Sequence, residues 1–157
     1  MPEPSKKAML GETVARTICG EPTEYDPGIW FNSAKFFDIE YQTYGWVWAR
    51  AKENEASFYW EHPGGKMSFR AVYDKESRQL LGINVFGYRL RHEVCQRWYV
   101  ERRTVDYVIE HLKDANFDPE FYELHEQAIC DQFNRENGTS IKPKQKSWKR
   151  ILNLVTS

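Results

Sequence analysis

Residues 30–48 read WFNSAKFFDIEYQTYGWVW. The stretch is dense in Trp, Phe and Tyr, yet Asn, Ser, Lys, Asp, Glu and Gln interrupt the aromatics at short intervals. A buried segment has no use for the polar residues, and a solvated loop has none for the aromatics. From Phe37 the side chains alternate. Phe37, Ile39, Tyr41 and Thr43 fall on one face, and Asp38, Glu40, Gln42 and Tyr44 on the other. A period of two predicts a half-buried strand, one face on a core and the other towards water or a partner. Gly45 ends it. WVWARA (46–51) has the same period and is expected to begin a second strand.

Downstream the strand signals continue. ASFYWEH (56–62) runs into the turn HPGGK, KMSFRAVYD (66–74) alternates Met67, Phe69, Ala71 and Tyr73, and DKESRQ is polar turn material. QLLGINVFGY (79–88) is nearly continuously apolar and suits a central strand. Short turns between successive strands imply antiparallel pairing.

After Tyr88 the period changes to that of a helix. RHEVCQRWYVERRTVDYVIEHLKDANF (91–117) is expected to be helical with a break near Arg103–Thr104. Thr104 there has the chemistry of an N-cap, and Val105, Val108, Ile109 and Leu112 form an apolar stripe. DPEFYELHEQAICDQFNREN (118–137) restarts with Asp118 as N-cap and Pro119 in the first turn, and NGTS stops it. Upstream, KKAMLGETVARTICG (6–20) reads as a helix closed by Gly20 and Pro22, and EPTEYDPG (21–28) as a loop. Strands grouped before helices predict an α+β fold: an antiparallel sheet of four to five strands with helices on one face.

The totals narrow the function classes. At 157 residues and net charge −1, the chain has one ordinary domain's length and no global field to draw nucleic acid or an anionic membrane. Aromatics make up 15%, including six Trp and nine Tyr, whose amphipathic rings favour interfaces and pocket walls. Three cysteines, none in a CxxC pair, argue against a disulfide framework and for a reducing cytoplasm. MPEPSKKAMLGE has no apolar stretch of the signal-peptide kind.

Candidate chemistry is sparse. His62, His92, His111 and His125 share no HxH, HExxH or Hx3H spacing, so no metal site is expected. His92 and Cys95 sit three apart on a helix, where an imidazole can activate a thiol; a buried helical cysteine is the plainer reading. Asp38 and Glu40 share a strand face but form no evident acid/base dyad. Neither GxGxxG nor GxxxxGK[ST] occurs, so the chain has no dinucleotide or phosphate loop of its own. Lys142, Lys144, Lys146, Lys149 and Arg150 around Trp148 form a basic tail, more often solvated than bound to phosphates.

Three segments together resemble a known class. AMLGETVARTICG carries Ala8, Gly11, Ala15, Ile18 and Gly20; KFFDIEYQTYG carries Lys35, Phe37, Asp38 and Gly45; FRAVYDKESRQLLGINVFG carries Tyr73, Asp74, Leu80, Leu81 and Gly82. In this order, before helices, they are similar to the end of flavin-dependent NAD(P)H reductases of the pyridine nucleotide-disulfide oxidoreductase class. There a helix closes the FAD domain and an interface or dimerisation domain follows. WFNS (30–33) resembles the FWS that opens this domain in the ferredoxin-reductase-like and apoptosis-inducing-factor-like branch, with an aromatic near the flavin. Asn32 stands where that pattern has Trp, and one extra residue separates Ser33 from Asp38. The resemblance covers residues 8–115; nothing after Phe117 has a named counterpart.

The resemblance implies three parts. Residues 1–20 would be a tail and the last helix of an FAD domain, 21–117 an interface domain, and 118–157 a helical extension with a basic tail. It places Trp30 and Phe31 towards a flavin, and Phe36, Phe37, Tyr41, Tyr44, Trp46 and Trp48 at an interface. The partner would be a second copy or the FAD- and NAD-binding domains of a reductase. FAD and NAD(P)H would belong to the whole enzyme, none to this chain alone. The competing expectation is a free-standing α+β domain that binds a small ligand or a protein.

Overall fold

The computed structural model describes residues 6–24, 28–37, 39–50, 52–117 and 124–144. It divides into two compact units, residues 1–30 and residues 31–157. In the first, helix α1 (Lys6–Ile18) carries a Glu12–Arg16 pair one turn apart at 2.8 Å. It closes as the sequence predicts. Gly20 adopts φ +90°, Gly20 N–H donates to Thr17 O and Glu21 N–H to Arg16 O, a Schellman stop. Val14 and Ile18, the apolar side of this helix, are exposed.

The second unit is α+β. Strands β1 (Phe31–Phe36), β2 (Ile39–Gly45), β3 (Glu55–Glu61), β4 (Ser68–Asp74) and β5 (Leu80–Phe86) form one antiparallel sheet in the order β1-β2-β5-β4-β3. Helices α2 (His92–Val100), α3 (Val105–Glu110) and α4 (Glu126–Asn137) pack on one face of it, α2 on β2 and β5, α3 on β4, α4 on β3. Their core partners on the sheet are Tyr44, Phe58, Trp60, Phe69, Ala71, Ile83 and Val85. The helix break falls where expected: Thr104 Oγ1 caps α3 by accepting from Tyr107 N–H at 3.3 Å. A short 3-10 turn (Leu112–Ala115) follows α3. No described helix is long and apolar enough to cross a membrane.

The opening stretch differs from its sequence reading in three ways. It is a hairpin rather than a strand starting at Phe37. β1 precedes a tight turn at Phe37, whose φ of +53° reverses the chain, and β2 pairs back from Phe36↔Ile39 to Phe31↔Tyr44. Among the described residues WVWARA is not a strand. Trp46 N–H still donates to Leu81 O at 3.1 Å, but Gly45 at φ +66° turns the chain out of the sheet.

The third difference is the facing of β2. Glu40, Gln42 and Tyr44, the side that looked wet, point to the helices. The residues between β5 and α2 take up their polar groups. Arg89 pairs with Glu40, Leu90 N–H donates to Gln42 Oε1 at 2.7 Å, and Tyr44 Oη donates to Leu90 O at 3.2 Å. Alternation reveals which residues share a face but not which face is covered. Here three side chains of one strand grip one connecting segment, and this accounts for Glu40 and Gln42 among the polar residues that interrupt the aromatics.

α4 belongs to the same compact unit as the sheet, with Phe133 set edge-on against Phe58 at 5.1 Å. Gly138 at φ +64° ends it at the expected NGTS. The helix start read at Asp118 and Pro119 lies outside the described residues.

Candidate functional site

The register puts a defined set of side chains on the face opposite the helices. Pairs Ala34↔Tyr41, Tyr41↔Phe86, Phe86↔Ser68 and Ser68↔Glu61 run across the sheet on that side, as do Thr43↔Asn84 and Asn84↔Arg70. Aromatic rings form a ladder along it: Phe36 to Tyr41 at 6.5 Å, and Tyr41 to Phe86 at 5.7 Å, both stacked. Phe36 is 60% exposed and Phe86 40%, so this part of the ladder lies open.

A polar frame surrounds it. Asn32 Nδ2 donates to Tyr41 Oη at 3.2 Å, Asn84 Nδ2 to Thr43 Oγ1 at 2.7 Å, and Arg70 Nε to Ser57 Oγ at 2.9 Å. The β3–β4 turn rises beside the ladder and makes a groove of about 590 Å³. Its apolar lining includes Ile39, Met67 and Phe86, and its charged lining Lys66, Arg70 and Glu61. Gly87 lets that turn approach, since a Cβ there would sit 2.1 Å from Lys66 O. Large exposed apolar patches with polar rims mark contact surfaces or binding grooves.

The sequence-predicted site residues are divided by the fold. Phe36 and Tyr41 lie on the open face, and Phe37, 98% exposed, lies at the hairpin turn. Trp46 and Trp48 stack in parallel at 5.5 Å beyond the end of β2, both about half exposed, with Lys52 Nζ 5.2 Å from the Trp48 ring. Tyr44 is the correction. It is 1% exposed and packs against Phe31 and His92 on the helix side, so it is a core residue rather than a surface contact. Burial pushes its hydroxyl pKa upward, with Cys95 and Glu93 adding to the effect.

Phe31 stacks on Tyr44 at 4.8 Å and lies 4.5 Å from His92, half-buried on the helix side, while Trp30 is 42% exposed. Sequence reasoning missed Ile39, Tyr59, Met67, Arg70 and Phe86. Their only signal was strand parity, which needs the partner strands to be interpreted.

The chemistry candidates do not assemble. Cys95 is 1% exposed and burial pushes its thiol pKa well up, the reverse of an activated nucleophile. Glu40 is held by Arg89, and its sequence neighbour Asp38 lies outside the described residues. Among the described residues no group of three His, Cys, Asp or Glu is placed to hold a metal ion. Lys142 and Lys144 lie in a segment that runs back to α3, where Lys144 N–H donates to Glu110 O at 2.8 Å; Lys146, Trp148, Lys149 and Arg150 are outside the described residues.

No protein-family model matches the chain, and no curated protein matches it. Solved structures do. The chain is similar to a NAD-dependent persulfide reductase from A. fulgidus, with TM-score 0.56 and 16% identity over 87% of this chain and 31% of that one. Weaker matches are a pyridine nucleotide-disulfide family oxidoreductase from Enterococcus faecalis V583 (TM-score 0.45, 17% identity, 69% of this chain and 28% of that one) and an engineered water-forming NADPH oxidase (0.48, 16%, 71% and 28%). The chain thus spans about a third of the length of the first. At such identity the likeness to the persulfide reductase establishes the fold alone, an α+β domain that corresponds to about a third of that protein.

Proposed function

We propose that this chain is the interface domain of a larger flavin-dependent NAD(P)H oxidoreductase, with no catalytic step of its own. The observation that carries the reading is the fold likeness over 87% of this chain but only 31% of the reductase. Two further features support it. The open face of the sheet carries an aromatic ladder that a contact surface would use. In the first unit, Val14 and Ile18 expose the apolar stripe of α1, as a helix does when the rest of its domain lies elsewhere.

In this reading Phe36, Phe37, Tyr41, Trp46 and Trp48 meet a second copy of the chain or the nucleotide-binding domains. Trp30 and Phe31 would wall the flavin ring. They fit that limited role, since one is exposed and the other half-buried, and the chain has no glycine-rich phosphate loop to hold the cofactor itself. The site of action would be the cytoplasm. Light scattering of the chain, alone and mixed with flavoprotein domains, tests the proposal. Association is expected, and Phe36→Glu should weaken it at least about tenfold, or 1.4 kcal/mol. A strictly monomeric chain that also ignores the flavoprotein domains would sink it.

The groove beside the ladder favours one second reading, a free-standing small-ligand domain. Its volume of about 590 Å³ and its mix of apolar and cationic lining suit a drug-sized molecule. Strong thermal stabilisation by a small molecule alone would favour this reading over the first.

A further inference from the structure

Behind the sheet, where α4 begins, lies a small internal cavity of about 10 Å³. Its polar lining is Tyr88, Asn116, His125 and Glu126, closed by apolar residues that include Leu112 and Ile129. Two of these residues carry buried polar atoms without a hydrogen-bond partner among the described residues, Tyr88 Oη and His125 Nε2. The other two are bonded to each other: Asn116 Nδ2 donates to Glu126 Oε1 at 3.0 Å, and both side chains are buried.

Buried polar groups are costly to leave unpaired, and native proteins almost always satisfy them from the protein or from water. A site must be polar, offer two to four partners and have room for about one probe sphere, roughly 10–15 Å³, to hold a water molecule. This cavity meets all three conditions. We infer that it is a binding site for a single structural water, which bridges Tyr88 Oη to the His125–Glu126 end of α4.

Size and charge decide against other occupants. Phosphate or sulfate cannot fit in about 10 Å³. The Glu126 carboxylate at the same spot would also repel an anion, although a helix N-terminus alone would attract one. A hard cation wants six or more oxygens, which these four side chains do not supply. Water alone can both give and take protons in hydrogen bonds. It can accept from the Tyr88 hydroxyl, donate to Glu126, and match either tautomer of His125. Burial first, and the Glu126 charge second, hold the Tyr88 hydroxyl in its protonated form, so it is a donor.

The position gives the water a structural task. Tyr88 immediately precedes Arg89 and Leu90, the segment gripped by Glu40, Gln42 and Tyr44. Asn116 ends the 3-10 turn and pairs with Leu90, and Glu126 opens α4. A water at this point joins the link after β5 to the first turn of the last described helix.

A high-resolution crystal structure of the full chain tests this directly. The expected result is one ordered water within hydrogen-bonding distance of Tyr88 Oη and of Glu126 or His125 Nε2. A dry cavity, or Tyr88 Oη bonded directly to protein, would overturn the inference. In solution, Tyr88→Phe tests the bridge through hydrogen exchange. The Ile129 amide, which donates to His125 O at 3.0 Å, should exchange about tenfold faster while β4 and β5 amides keep their protection. Unchanged protection at Ile129 would also overturn the inference. Neither result depends on whether the open face of the sheet is an interface.

Discussion

Gly45→Ala is expected to cost the sheet domain about 3–4 kcal/mol, read as a fall in the urea midpoint at constant slope. Two causes add. The backbone at Gly45 has φ +66°, a left-handed conformation that costs a residue with a Cβ roughly 1–2 kcal/mol. The Cβ itself would then lie 2.3 Å from Leu81 O and 2.8 Å from Tyr99 Cε2. The first neighbour is backbone and cannot yield cheaply, because Leu81 O already accepts from Trp46 N–H at 3.1 Å. The second belongs to α2, so relief by moving it would loosen the helix layer.

Gly65→Ala separates the two causes. Gly65 has nearly the same φ, +68°, but nothing within 4 Å of the added carbon. It should lose only the conformational part, about 1 kcal/mol or slightly more. If the two variants lose the same stability, the close approach of β2, β5 and α2 at Gly45 is not what the geometry says it is. Opposite Gly45, Gly82 is under the same restriction, with a Cβ 2.5 Å from Trp46 O. Two facing glycines let the backbones close in here, where the left-handed turn at Gly45 carries Trp46 and Trp48 out of the sheet. The sheet-leaving segment and its stacked Trp pair therefore depend on residues that carry no side chain at all.

Much of this architecture was legible in the amino-acid order. The period of two was strong in β4 and that of 3.6 in α3, a continuous apolar run marked β5, and the Thr104 cap and the glycines after α1 and α4 were correctly read as boundaries. Local chemistry sets these features, so a single chain suffices to reveal them. What stayed hidden was non-local. The hairpin turn at Phe37 has no Gly or Asn to announce it, because Phe37 itself adopts the left-handed backbone. The facing of β2 was reversed because Glu40 and Gln42 are satisfied by residues 48 and 49 positions away, at Leu90 and Arg89. The candidate surface was half legible for the same reason. Phe36 and Tyr41 stood in the aromatic run, but Phe86 joins them only through the β2–β5 register. The reductase-like resemblance read over residues 8–115 agrees with the fold likeness, which extends over 87% of the chain.

Phe133→Ala should cost about 3–5 kcal/mol, the range for emptying a fully buried aromatic site. It tests whether α4 is part of the domain or an appendage to it. The ring is buried edge-on against Phe58 of β3, and the Arg78 guanidinium lies 5.7 Å from its centre. Around it α4 makes bonds that an appendage would lack. Tyr73 Oη donates to Asn137 Oδ1 at 3.1 Å, and Gln132 Nε2 donates to Tyr59 O at 3.0 Å, covering a backbone carbonyl on the edge strand. Removing the ring should thus lower the stability of sheet and helices together. Melting followed by far-ultraviolet circular dichroism and by tryptophan fluorescence should show one coincident transition, shifted down by roughly 10 °C or more. Asp131→Ala, on the exposed side of α4, should move it by less than about 0.5 kcal/mol. If the fluorescence transition stays put while part of the helical signal melts early, α4 unfolds by itself. The compact unit would then end before it, at the boundary near residue 117 that the sequence suggested.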